Sequence, residues 1–122
     1  MLRIMSPGID ILRKLIGGDM EFYSESEKEV GKWFDNKPIY MKSFKLNGKV
    51  SNRTKLTTDD NIKYIIHAVG QATSGSNIYI FPYHTSSKFQ PAVNNGNIVI
   101  EDDSSSGWYN LECTIFYTKI ND

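Results

Sequence analysis

Cysteine and histidine are scarce in this sequence of 122 residues: Cys113 stands alone, and the histidines are His67 and His84. One cysteine cannot close a disulfide within the chain or supply the paired thiolates of a structural zinc site. Cys113 lies inside an apolar alternating segment, where a thiol behaves as a small buried hydrophobe and not as a nucleophile. The histidines show no H-E-x-x-H spacing, and neither a G-x-S-x-G motif nor a phosphate-cradling glycine loop occurs. Net charge is lacking as well. Lysine and arginine total 14, aspartate and glutamate 14, and the formal net charge is zero. That balance argues against coating of nucleic acid by bulk electrostatics. No apolar run approaches the roughly 20 residues of a membrane span. Arg3, Pro7, Gly8 and Asp10 interrupt any secretory signal, so the chain is expected to be made and folded in a cytoplasm without a signal peptide.

What is present points to one domain. A chain of this size buries roughly two thirds of its unfolded surface, enough for a core without a disulfide or metal. Three regions differ in character. Residues 1–20 carry a helical pattern: Ser6 as cap, Pro7 at the first position, and Gly17-Gly18 as the stop. Ile9, Leu12 and Ile16 form a stripe, with Ile11 and Leu15 beside it. A helix of about ten residues is marginal alone, so the stripe needs a partner, either its own domain or copies of itself. Residues 21–36 are polar and read as an extended connection that ends at Trp33-Phe34 before the turn Asp35-Asn36.

Residues 37–122 carry a β pattern. The β-forming run 39–46 precedes Asn47-Gly48, a tight-turn signal. The near-continuous apolar run 62–69 suits a central strand covered on both faces. Residues 77–81 follow the turn Ser74-Gly75-Ser76 and stop at Pro82, and Asn94-Asn95-Gly96 turns into 97–100. In the last strand, from Trp108 to Ile120, Leu111, Cys113, Ile115 and Tyr117 take one face, and Glu112, Thr114 and Thr118 the other. Short strands between turn signals argue for an antiparallel sandwich or barrel. The expected fold is therefore mainly β: an antiparallel, jelly-roll-like β-sandwich behind a short N-terminal helix.

The zero charge is a cancellation. Lys37, Lys42, Lys45, Lys49, Arg53 and Lys55 occupy a stretch without acids, while Glu101-Asp102-Asp103 cluster later. The basic stretch reads as solvated strand edges or as a contact surface for a neighbouring subunit or anionic ligand. The acidic triplet lacks EF-hand spacing and reads as a solvated loop, so no metal and no cofactor are expected. Aromatics are the most suggestive group for contact. Tyr79, Phe81 and Tyr83 alternate. Phe81 suits the core, whereas Tyr83, His84 and Trp108 are candidate ligand-binding residues at strand ends. No arrangement assigns catalysis; a small glycan hydrolase is the enzyme-class alternative.

Several segments resemble a known family. Residues 23–42 run Y-S-E…E-V-G-K-W-F-D-N-K-P-I-Y-M-K, and the chain ends L-E-C-T-I-F-Y-T-K-I-N-D. Between them lie Asn61-Ile62-Lys63-Tyr64-Ile65-Ile66 and Ile80-Phe81-Pro82-Tyr83. Together these are similar, in order across residues 21–122, to small tail fibre and receptor-binding proteins of tailed bacteriophages and prophages. Asn36 stands where the family has the glycine of a D-G turn; asparagine tolerates the left-handed conformation, so the turn is expected to survive. The family's H-G-I ahead of N-I-D is missing here, and no role tied to that histidine carries over. The resemblance implies a non-enzymatic β-sandwich in a virion tail, a homo-oligomer with trimer favoured, that contacts other tail proteins and a host surface glycan. It implies neither nucleic acid binding nor membrane insertion. A purely structural tail or baseplate accessory is the alternative.

Overall fold

The computed structural model describes residues 23–85, 87–104 and 107–122. The helix expected within residues 1–20 lies outside them. The described residues are mainly β, with no helix among them. Eight strands follow one another: β1 (Lys28–Lys32), β2 (Pro38–Val50), β3 (Ile62–Ser74), β4 (Asn77–Phe81), β5 (Tyr83–His84), β6 (Lys88–Asn94), β7 (Asn97–Asp102) and β8 (Trp108–Lys119). They form a five-stranded sheet in the order β1-β2-β8-β3-β4 and a three-stranded sheet in the order β5-β6-β7. Every pairing is antiparallel, and the larger sheet curls into a half-barrel.

The last strand is the central one. β8 pairs β2 on one side and β3 on the other, and Cys113 through Thr118 are all buried. Its inner residues Leu111, Cys113, Ile115 and Tyr117 join Phe89 of β6 and Ile98 and Ile100 of β7 in one core that the two sheets share. Its outer Phe116 packs with Ile39 and Met41 in a second, smaller cluster, against Val30, Trp33 and Ile66. A strand buried on both faces was expected at residues 62–69, and that expectation is corrected. β3 is an interior strand of the larger sheet, yet it leaves Tyr64 and Val69 exposed, because no described element stacks over their face. Register shifts at Ile62/Tyr64 and Ile65/His67 also interrupt its alternation. Coverage of both faces depends on what stacks against the sheet, which hydrophobicity alone does not encode.

Gly70 marks the tightest approach that a glycine makes between strands of the larger sheet. It faces Cys113 across the β3–β8 ladder. A Cβ there would stand 2.1 Å from the Glu112 carbonyl oxygen and 2.6 Å from the Cys113 Cα, so only glycine permits this backbone approach. Other turns follow the sequence closely. Asn95 and Gly96 both take positive φ, 51° and 76°, between the paired Asn94 and Asn97, the conformation of a two-residue hairpin turn. Asn36 takes φ 65° at the β1–β2 turn, where its N–H donates to the Trp33 carbonyl at 2.9 Å.

Asn47-Gly48 is a second correction. It forms no hairpin: β2 runs straight through it, and the ladder with β8 shifts register between Leu46 and Lys49. Gly48, at φ 82°, sits in this bulge and donates its N–H to Asn110 Oδ1 at 2.9 Å. The segment after β2 does not pair back on β2, so the same two residues make a bulge instead of a turn. It runs along the free edge of β7, where Arg53 and Leu56 donate to the Ile100 and Ile98 carbonyls. The buried Asn97 anchors this loop: its amide donates to Asp60, and its oxygen accepts from Asp60 N–H at 3.1 Å.

The polar stretch 21–36 is more than a connection, because it supplies edge strand β1. Glu27 fastens it to the sheet. The carboxylate accepts from Tyr117 Oη at 2.6 Å and from Lys119 Nζ at 2.5 Å. β6 carries Pro91 mid-strand. Its partner β5 reaches only Lys88 and Phe89, so the proline falls where the edge is open and needs no ladder donor.

Candidate functional site

Two surface features deserve chemical description, one at the end of the half-barrel and one on its outer face. The first grows from the alternation Tyr79, Phe81, Tyr83. Tyr79 and Phe81 lie on the inner face of β4; Pro82, after a cis peptide bond, passes the chain to β5 and the smaller sheet. Tyr83 nonetheless stays in the same cluster. Its ring lies 5.1 Å from Tyr79 and 5.4 Å from Trp108, and Phe89 stacks on Trp108 at 4.4 Å with planes 4° apart.

The candidate residues Tyr83, His84 and Trp108 therefore divide. Tyr83 and Trp108 are brought together, and His84 follows on β5, opposite Lys88. Trp108 is only 3% exposed. Its indole N–H donates to Ser104 Oγ at 3.0 Å. It has no open face for a ligand and acts by backing Tyr83. Tyr83 is half-buried and His84 exposed, so these two present atoms to solvent.

A polar cup continues from this cluster. Ser104 Oγ and N–H both donate to Asp102 Oδ1, at 2.7 and 3.0 Å, and Asp102 N–H donates to Asn52 Oδ1 at 2.8 Å. Asn52, Arg53, Lys88, Glu101, Asp102 and Asp103 together line a cavity of about 230 Å³. Arg53 is held at φ 70° by the loop bonds already described. The cup thus offers a guanidinium, an ammonium and three carboxylates on a hydrogen-bonded frame. Among the described residues no group of three or more His, Cys, Asp or Glu is arranged to hold a metal ion.

The cup gathers residues from three separate places in the sequence, which no local motif announces. The acidic triplet was visible; its meeting with Arg53 and Lys88 was not. Phe34 was also overlooked as a contact residue. It is 94% exposed on the β1–β2 hairpin, against Trp33 at 4.7 Å. An aromatic directly before the Asp35-Asn36 turn signal was the available clue.

The second feature is a trough on the outer face of the five-stranded sheet. It encloses about 660 Å³. Tyr23, His67, Val69, Gln71, Glu112 and Phe116 contribute to its walls. One end is polar: Lys45, Glu112 and Gln71 form a row across three strands, with contacts of 3.4 and 3.2 Å. The other end is apolar, with the His67 and Phe116 rings 5.9 Å apart. Ile78 and Ile80 extend the apolar surface onto edge strand β4, being 67% and 76% exposed.

His67 and His84 lie on different sheets, and Cys113 is buried, its thiol pushed up to about 12 by that burial. His67 and Cys113 both border the outer-face trough, His84 does not, and the Cys113 side chain is buried in the shared core. Within the basic stretch Lys45 pairs with Glu112, Lys37 Nζ donates to the Ile120 carbonyl, Lys42 lies over the Phe44 ring, and Arg53 lines the polar cup. No family model, curated protein or solved structure matches this chain.

Proposed function

We propose that this chain is a non-enzymatic component of a phage or prophage virion, a tail fibre or receptor-binding domain that contacts glycans on the host surface. The two packed sheets are read as an antiparallel sandwich of the jelly-roll kind behind a short helix. The reading places the protein in the virion tail as a homotrimer among other tail proteins. Its support is the ordered resemblance across residues 21–122 together with a mainly β, antiparallel architecture.

One observation carries the glycan contact: the aromatic edge at Tyr83 and His84 adjoins a cup of carboxylates, Arg53 and Asn52. A sugar ring offers an apolar C–H face for an aromatic side chain and vicinal hydroxyls that donate to carboxylates. Trp108, fixed by Phe89 and Ser104, holds Tyr83 in place without touching the sugar. The reading assigns no catalytic residue, metal or cofactor.

The test is binding of the purified protein to host cells and extracted wall polymers. Tyr83→Ala and Arg53→Ala should each weaken binding about tenfold, corresponding to roughly 1.4 kcal/mol, and the exposed Arg53→Ala should do so with the thermal midpoint nearly unchanged. No binding to cells or polymers by the native protein would remove the receptor role. The structural-accessory reading is favoured by one observation, the exposed Ile78 and Ile80 on β4, an edge strand among the described residues. It expects capture by purified tails in place of glycan.

A further inference from the structure

We infer that the outer-face trough is the docking site for the apolar stripe of residues 9–16 of the same chain. The argument begins where the described chain begins. Ser24 is buried beside β2. Its carbonyl accepts from Ser43 N–H at 2.7 Å, and its own N–H donates to Ser43 Oγ at 2.9 Å. Ser43 Oγ in turn shares a hydrogen bond with Thr114 Oγ1 at 2.7 Å on the outer face. The chain is therefore turned over that face, and Tyr23 lines the trough itself. The described chain therefore begins at the trough, and the short tether ahead of Tyr23 starts from there.

The sizes agree. From Gly17 to Phe22 the sequence supplies six residues, which span at most about 20 Å when extended. Four strands about 4.8 Å apart make the outer face from β2 to β4 roughly 14 Å wide. A ten-residue helix is about 15 Å long. Chemistry agrees as well. Val69, at 43% exposure, Ile78 and Ile80 offer an apolar surface without a partner among the described residues, and Ile9, Leu12 and Ile16 form a stripe that needs one. A tether this short makes the local concentration of the segment high, which favours its own chain over a neighbour's.

The experiment is limited trypsin digestion of the full chain, following cleavage after Arg13 and Lys14 by mass. In the native protein these bonds should resist cleavage, and the resistance should survive dilution. Val69→Asp places a charge in the trough and should raise the cleavage rate about tenfold, the ratio given by roughly 1.4 kcal/mol of lost docking. Val93→Asp, an exposed apolar residue of the other sheet, should leave the rate unchanged. Leu12→Asp lies in the segment itself and should reproduce the effect without burdening the sheets, which keeps the test decisive if Val69→Asp fails to fold. Equal cleavage in the native chain and Leu12→Asp would overturn the inference. So would protection that disappears on dilution, because the stripe would then be held by another copy.

Discussion

The two faces of the five-stranded sheet are built from the same strands, yet they have opposite fates. The inner face of β8 presents Leu111, Cys113, Ile115 and Tyr117 to the smaller sheet, and all are buried. The outer face alternates with it residue by residue. There, Met41 and Phe116 are buried in a small cluster while Val69, Ile78 and Ile80 remain exposed. A period of two assigns each side chain to a face; only the element stacked on that face determines whether it is dry. The inner face has a second sheet against it. The outer face has the β1–β2 hairpin at one end and the trough along the rest. Stability should therefore be concentrated on one face, and adaptable contact on the other.

Four measurements can break or sharpen this contrast. The largest effect is expected at Gly70, the close approach between β3 and β8. Gly70→Ala sets a Cβ inside backbone atoms and should cost about 4 kcal/mol or prevent folding, among the more severe single-residue losses. Denaturant unfolding measures it, and a near-neutral result would mean that the two strands approach less closely. Next is Ile115→Ala on the inner face. Ile115 is fully buried, and the cavity should cost roughly 2–5 kcal/mol. A loss below about 1 kcal/mol would show that the inner face is not the stabilising one.

Alkaline pH tests the same face without mutation. Burial pushes the Cys113 thiol from an ordinary value of 9.0 to about 12. The hydrogen bond to Asp122, then burial, raises the Tyr40 phenol to about 12. Burial, then Glu27, raises Tyr117. Each group keeps its proton longer in the folded state than in the unfolded chain. Their stabilisation is thus complete below the unfolded values and lost as pH rises from about 9 through about 12. The thermal midpoint should fall across that window, and Cys113→Ala should move the onset upward. A flat profile would contradict the burial of Cys113 and Tyr117 and the Tyr40–Asp122 hydrogen bond. The smallest effect belongs to the outer face: Lys45→Ala removes an exposed ion pair with Glu112 and should change stability by about 0.2–1 kcal/mol, decreasing with salt.

Much of the fold was legible because local chemistry governs it. Asn95-Gly96 could form a two-residue turn, and Pro82 could end β4, whatever the rest of the chain did. Asn47-Gly48 carries an equally strong signal and became a bulge, because pairing went to β8 from the far end of the sequence. β6 was harder to see, since Pro91 marks a strand as broken unless its edge is known to be open. The candidate site divides the same way. Tyr83 and His84 could be picked out as aromatic and polar groups at a strand end. The burial of Trp108 and the joining of Arg53, Lys88 and the acidic triplet could not, because those contacts link residues distant along the chain.

By itself the sequence determined the β class, the alternation of the last strand, the positions of several turns and the scarcity of cysteine and histidine. These depend on side-chain size, backbone preference and composition, which act within a few residues. The tertiary structure alone decided that β8 is the centre of the sheet, that Gly70 must be glycine and that the polar cup exists. It also brought Tyr23 to the mouth of an apolar trough. The reason is physical: burial and close approach are properties of what packs against a residue, and in this fold the packing partners come from opposite ends of the chain.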